Sequence, residues 1–480
     1  MTAALALNFL RNHLDISDRN RERHRLGEVF TSLPLVDEML AKLPVGVWRN
    51  PDLKWLDPAS GPGNFHLKAF IGGPGFPGLN RGLKAAIPDD ERRLRHIVEN
   101  MLYYVDINEE HNTFVREQLA RLVPGAKPNV SSIDKKEGFL GAKWPAGWPK
   151  HFDIIVGNPP YQLGRVKVAR STAKSKAAAA SAGAAEKTVS VFWAKFVEKS
   201  LNLLKSGGYL LFIHPITWFK RDRLGVHDLI LANQLKYLKV YRNFEARRVF
   251  GGNVGIIHVA YYLLEKRRPH EKTLIEYAAV PNWQDRLMLG PESVLIMCYN
   301  SIYDKIRRAG FGQLEDAEGL TLRHKVVAGC SNRGTHKLIR RISEDGTAKY
   351  VLSATKHPNS DKRKLIVSGI HRPVTMYDKS GTYGLYAQGQ RHYFLGSAED
   401  LKKLNAFFKT KLAALLLDFT KYEQDFIRPG LLPDLRGVPG PMTDAALTTY
   451  FKFSAEEKAA INGHIGGIDA GRPQLDKCPK

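Results

Sequence analysis

Two short stretches of this 480-residue chain place reactive side chains where a rigid backbone can hold them. The first is Asn158-Pro159-Pro160-Tyr161. Two successive prolines fix φ and remove two backbone donors, which leaves carbonyl groups pointing outward. The Asn158 side-chain carbonyl beside such a backbone carbonyl offers two acceptors aimed at one point, and the Tyr161 ring can stack on a planar base. The combination suits an exocyclic amino group held by both its hydrogens, whereas a plain proline turn has no need of the flanking Asn and Tyr. The second stretch is Asp57-Pro58-Ala59-Ser60-Gly61-Pro62-Gly63. A glycine turn directly after a strand lets the backbone approach a ligand at the carboxyl edge of a sheet. The phosphate-binding readings fail on detail: His66 stands where GxGxxG needs its third glycine, and no GK[ST] occurs. Asp57, and Asp106 at the tip of the next apolar run, suit a ligand that carries an ammonium group and a ribose diol.

The elements that must position these residues follow from the hydrophobic pattern. Leu53–Asp57, Met101–Val105, a short run ending at Val130, Phe152–Val156 and Tyr209–Ile213 read as strands. Asn108–Leu122 and Val191–Leu204 have helical spacing, and Gly207-Gly208 leads back into a strand. Strands alternating with helices predict an α/β fold with a doubly wound, mostly parallel sheet, its last long strand at 254–264. Residues 72–90 read as a Gly/Pro-rich loop insertion, and 163–188 as a low-complexity insertion rich in Ala, Ser and Lys. Beyond Lys266-Arg267-Arg268-Pro269 the composition turns to irregular α+β, which predicts a domain boundary at 268/269. Ser454 with Glu457 three residues on predicts the start of a closing helix.

Charge narrows the partner. Seventy-two Lys and Arg against 48 Asp and Glu give +24. Residues 151–250 alone hold 17 basic and 6 acidic side chains, a net +11. An excess of this size favours a polyanion, with nucleic acid ahead of an anionic membrane because no basic amphipathic helix or lipidation signal is present. No apolar run of membrane-spanning length occurs, and three distant cysteines without a CxxC fit a reducing compartment. An intracellular, soluble protein, cytoplasmic with access to DNA, is expected. The sixteen histidines show no metal-ligand spacing, so no metal is expected.

The motifs together resemble those of the S-adenosylmethionine-dependent N6-adenine DNA methyltransferases of the gamma arrangement, in which cofactor motifs precede the catalytic NPPY and target recognition is C-terminal. The resemblance covers roughly residues 20–266. It implies a Rossmann-like methyltransferase domain over 1–268, an α+β target-recognition domain over 269–440 and a tail over 441–480. Arg25–Val36 resembles the element that packs over the cofactor, with Thr31 matching and Ser32 where the family commonly has Pro. Asp57, Pro58, Ser60, Gly61 and Gly63 resemble the main cofactor loop, Asp57 contacting the methionine amino group. Asp106, followed by Ile107, matches the acid on the ribose hydroxyls, Asp134 the acid on the cofactor's adenine, and Phe196 the aromatic packed on that adenine. His214 to Trp218 continues the pattern after the next strand. Phe250, after Val249, matches a ring that sandwiches the flipped target base opposite Tyr161.

The activity implied is methyl transfer to the N6 amino group of adenine in double-stranded DNA at a specific sequence, by direct in-line displacement on a base turned out of the helix. Catalysis then falls to Asn158, Pro159, Pro160 and Tyr161. Basic residues flanking the mouth (Lys220, Arg221, Arg223, Arg247 and Arg248) are expected among the phosphate contacts. A protein-glutamine or RNA methyltransferase is the rival enzyme, since NPPY also serves amide nitrogens. The motif at Thr31 and the long basic C-terminal half count against it. A non-catalytic DNA-binding subunit is the rival from another class, and intact Asp57, Asp106, Asn158 and Tyr161 count against that.

Overall fold

The computed structural model describes residues 31–133, 138–161, 192–221, 224–250, 257–314, 316, 321–323, 334–343, 347–356, 359–368, 374–385, 391–420 and 429–464. The expected insertion at 163–188, residues 25–30 of the Arg25–Val36 element, Asp134 and Arg223 lie outside them. Two compact units divide the chain at Ser293/Val294. Among the described residues no helix is long and apolar enough to cross a membrane.

The first unit is built on a nine-stranded sheet in the order β3-β2-β1-β4-β5-β7-β6-β8-β9. Its strands are β1 (Trp55–Asp57), β2 (Leu102–Val105), β3 (Asn129–Ser131), β4 (Phe152–Gly157), β5 (Leu204–Pro215), β6 (Gln234–Tyr241), β7 (Val259–Glu265), β8 (Thr273–Tyr277) and β9 (Gln284–Leu287). β1 to β5 pair in parallel, and β7 lies antiparallel between β5 and β6. The helices are α1 (Leu33–Leu40), α2 (Asn64–Ile71), α3 (Gly78–Gly82), α4 (Asp90–His96), α5 (Glu109–Leu122), α6 (Phe192–Leu203), α7 (Val226–Leu231) and α8 (Asn243–Val249). β1, β2 and β7 are buried at every position, the near-continuous apolar run expected of strands covered on both faces. The Rossmann-like α/β expectation holds.

Two details differ from the sequence reading. The strand predicted at 254–264 is not the last: β7 sits inside the sheet, and β8 and β9 extend it. The run Lys266-Arg267-Arg268-Pro269 is a tight connection rather than a linker. Gln234 holds it, its side-chain oxygen accepting from the backbone N–H groups of His270 (2.7 Å) and Glu271 (3.0 Å), while its backbone N–H donates to the Arg267 carbonyl. The division therefore falls at 293/294 instead of 268/269.

α1 is fastened to the sheet through Glu38. Its carboxylate accepts from Tyr261 Oη at 2.8 Å and Tyr241 Oη at 3.3 Å, and pairs with Lys239 at 2.5 Å. The Tyr261 and Tyr237 hydroxyls lie 3.3 Å apart, and Tyr237 donates to Glu276. One helix is thus tied to β6, β7 and β8.

The second unit is α+β. Strands β10 (Thr321–Arg323), β16 (Arg391–Leu395), β13 (Lys364–Ser368) and β14 (Val374–Asp378) form one sheet, and β12 (Ala348–Ser353), β11 (His336–Ile342) and β15 (Tyr383–Leu385) another. Among the described residues, five α-helices accompany them: α9 (Asn300–Arg308), α10 (Ala398–Phe407), α11 (Lys411–Phe419), α12 (Asp444–Tyr450) and α13 (Ala455–Gly463). The expected capping box is present on α13: Glu457 N–H donates to Ser454 Oγ at 3.1 Å, and Ser454 N–H to Glu457 Oε2 at 2.7 Å. Residues 444–463 are not a free tail. Asp444 accepts from the first N–H groups of α11 at 3.0 and 3.1 Å, and Leu447, Phe453 and Ile461 are buried.

Replacing Glu38 by Ala takes the nearest acceptor from the buried Tyr261 hydroxyl, and an orphaned buried donor costs about 1–3 kcal/mol. Urea unfolding of Glu38→Ala is expected to show a lower midpoint, with Glu38→Gln, which keeps an acceptor, closer to wild type.

Candidate active site

Parallel pairing brings the two reactive stretches together. In the β1–β4 register Leu56 lies beside Ile155, so Asp57 and Gly157 emerge at the same carboxyl edge. They are in contact distance: a Cβ added to Gly157 would stand 2.8 Å from Asp57 Oδ1 and 3.6 Å from Pro58 Cδ. Asn158, the next residue, is half-buried; Pro159 is buried and Pro160 exposed. Tyr161 packs against the edge of the main core. Burial holds its phenol well above the ordinary value, with the Asn158 side chain pulling the other way.

The loop after β1 is wound on two glycines with positive φ, Gly61 at 51° and Gly63 at 89°. At Gly63 a side chain would also meet Val115 at 3.2 Å and Tyr104 at 3.3 Å. The loop is tied to β2. Ser60 N–H donates to the Val105 carbonyl at 2.8 Å, and Gly61 N–H to Asp106 Oδ2 at 2.7 Å. Asp106 Oδ1 accepts from Asn108 N–H at 2.8 Å. Thr31 joins the group through its carbonyl, which accepts from Asn64 Nδ2 at 3.1 Å.

Asp57 is fully buried. One oxygen accepts from Ala59 N–H at 3.2 Å, and among the described residues the other finds no partner. Burial raises its carboxyl well above the ordinary range; the Ala59 bond opposes this, and the nearby Asp106 adds to it. A buried acceptor without a donor is expensive in isolation. It is what a cationic amino group would satisfy, and the buried Thr31 Oγ1, which also finds no partner among the described residues, adds a second polar atom near the same loop. The residues present fit the cofactor expected.

A second group gathers further along the edge. Ile107 is 52% exposed, and its Cβ lies 3.2 Å from where Gly138 would carry one. Phe139 packs on Phe196 with ring centroids 5.1 Å apart. Phe139 escaped the sequence reading. Tyr104 is the β2 residue level with Asp57, and His66 meets its ring edge-on at 4.6 Å. Burial lowers His66 to about 3, so the imidazole is neutral.

Phe250 differs from expectation. As the C-cap residue of α8 it is turned into the core, 3% exposed, within the apolar cluster that holds Tyr241, Ala246 and Val259. The exposed aromatic of that helix is Phe244, at 44%. A Phe–Arg pair spaced i,i+4 was the available signal, since such neighbours share a helix face.

Comparison with known proteins bears on this site directly. Residues 99–250 match the Eco57I restriction-modification methylase family. The match spans 152 of the 480 residues and takes in Asp106, the NPPY stretch, Phe196 and Phe250, but not the loop at 57–63. An uncharacterised adenine-specific methylase of Mycoplasma pneumoniae is 33% identical over 107 residues, 22% of this chain and 24% of that protein. The Type II methyltransferase M.TthHB8I of Thermus thermophilus is 36% identical over 95 residues, 17% of this chain and 20% of that protein. The chain thus spans about a quarter or less of these relatives. Among solved structures, the methyltransferase subunit of a type I restriction-modification system from Streptococcus thermophilus aligns over 52% of this chain and 48% of its own, at 17% identity and a TM-score of 0.34. The resemblance read from the motifs to N6-adenine methyltransferases is borne out by the family match and these relatives.

Two outcomes follow from Asp57. Because its carboxyl is raised, the folded state holds a proton that the unfolded chain has lost, and the stability it withholds grows as pH rises above the ordinary carboxylate range. Asp57→Asn is therefore expected to raise the thermal midpoint of cofactor-free protein near neutral pH and leave it little changed at pH 3, while calorimetry shows weakened S-adenosylmethionine binding. Gly157→Ala pushes a methyl group onto Asp57 Oδ1 and is expected to weaken cofactor binding on the order of tenfold, the equivalent of about 1.4 kcal/mol, read in the same titration.

Proposed function

We propose that the chain transfers a methyl group from S-adenosylmethionine to the N6 amino group of adenine in double-stranded DNA at a specific sequence. The observation that carries this reading is the contact between Gly157 and Asp57, which sets a rigid Asn-Pro-Pro-Tyr acceptor beside a buried carboxylate in need of a cation. Asp57 would hold the methionine amino group, Asp106 the ribose hydroxyls, and Ile107 with Phe196 and Phe139 the adenine of the cofactor. Asp134 belongs to the same set by its motif. Bound there, S-adenosylmethionine supplies a methyl group on a sulfonium, an electrophile that an amine can take by direct in-line displacement.

The chain's own residues must make that amine available. An exocyclic N6 lone pair is delocalised into the ring and is a poor nucleophile. Acceptance of its two N–H groups by the Asn158 side chain and the Pro159 carbonyl favours a tetrahedral nitrogen and frees the lone pair. Pro159 and Pro160 keep both acceptors aimed, so little reorganisation is required during transfer. The target adenine lies inside a duplex and must be flipped out, at a cost of a few kcal/mol. Stacking on Tyr161 offsets about 1–3 kcal/mol of that. The second unit, with its α+β build, is assigned the reading of the target sequence.

Asn158→Ala removes one acceptor and leaves the proline turn and all the cofactor residues in place. Loss of such a group typically lowers the rate 10²–10³-fold. Tritiated methyl transfer to DNA is expected to fall by about that factor, with S-adenosylmethionine affinity retained in calorimetry. A wild-type rate in this variant removes the catalytic assignment. Wild-type protein that methylates a glutamine-containing peptide and not DNA keeps the chemistry and replaces the substrate.

A further inference from the structure

The carboxyl edge that carries Asn158 continues past β5 to an exposed aromatic with two cations beside it. Tyr241 of β6, Val259 of β7 and Pro215 of β5 lie level across the sheet. Gly157 is level with Phe212, three residues below Pro215 on β5. α8, which begins at Asn243, therefore rises from the rim on which the catalytic turn opens. Three strand spacings separate β4 from β6, roughly 14 Å at about 4.8 Å each.

α8 is two-faced. Ala246 is fully buried, Phe250 follows it into the core, and Glu245, the helix's one acid, has its Oε2 buried. Phe244, Arg247 and Arg248 face outward. The Arg248 guanidinium lies 6.0 Å from the Phe244 ring centroid, the outer limit of a cation–π contact, so the ring is flanked without being covered. Flat apolar faces alternating with phosphates at short spacing are what this arrangement complements, and α8 closes the stretch 151–250 whose net charge is +11.

We propose that Phe244 is a positioning residue for duplex substrate: its ring takes the base stack next to the flipped adenine, while Arg247 and Arg248 hold the adjoining phosphates. This rests on the reading of duplex DNA as the substrate. Side-chain wedges at a base step stabilise a disturbed stack in this way, and the advantage should be largest when the target base is still paired.

The test compares wild type, Phe244→Ala, Phe244→Trp and the double variant Arg247→Ala/Arg248→Ala. Single-turnover methylation is measured on a duplex with a paired target adenine and on the same duplex with that adenine mismatched. Phe244→Ala is expected to lose on the order of tenfold on paired adenine and clearly less on mismatched adenine, with Phe244→Trp restoring the paired rate. Cofactor affinity measured by calorimetry reports that the variants are folded. The double variant is expected to reduce the slope of log binding constant against log salt by about 2. Equal losses of Phe244→Ala on both substrates, no loss on either, or an unchanged salt slope overturns the proposal. A variant that changes only the sedimenting mass gives the face to a second copy of the chain, and overturns it too. Wild type that methylates neither duplex fails the substrate reading itself, and is told apart because no variant is then needed to see it.

Discussion

The β1–β4 register is the constraint on which the site depends. Pairing in parallel, with Leu56 beside Ile155, leaves Asp57 and Gly157 at one edge and allows no side chain at position 157. Everything else is arranged around that contact. Gly61 and Gly63 bend the loop so that Asp106 can bind it, and the two prolines keep Asn158 from relaxing away. A parallel sheet is suited to this because every β-strand that ends there delivers its next residue to the same rim.

Burial of Asp57 without a full set of donors is costly to the fold, and the neighbouring groups do not relieve it. Tyr104 is neutral, and Asp106 repels it. Such a group is tolerated when the rest of the unit is well secured. The tyrosine ladder on Glu38 and the fully buried strands β1, β2 and β7 provide that security. Buried polar atoms of Asp57 and Thr31 that find no partner among the described residues sit where a ligand is expected, and the satisfied ones sit where the helix meets the sheet.

Much of this was legible in the sequence because strand-end acids, glycine turns and the proline pair announce themselves by residue type. Asp57, Asp106 and the NPPY stretch lie where their types predict, and so does the cap of α13. What escaped depended on packing. β6, Gln234–Tyr241, is interrupted by half-exposed Lys236 and Lys239 and did not read as an apolar run. The basic run at 266–269 has the composition of a linker, yet Gln234 folds it into a turn. Phe250 and Phe244 are the same residue type six positions apart, and only the way α8 lies on the core decides which is buried. Phe139 belongs to a short segment with no periodicity to draw attention to it.

The antiparallel strand β7 has a consequence for how such a sheet can change over time. Because β7 runs back beside β6, the chain leaves and re-enters the sheet at the same rim, and the connection from 242 to 258 has both ends anchored there. Lengthening a flexible stretch of a connection is cheap, each doubling costing only about 0.6 kcal/mol in closure entropy. Insertions in this connection can therefore remodel what the rim touches, while the acids on β1 and β2 and the turn after β4 stay in register.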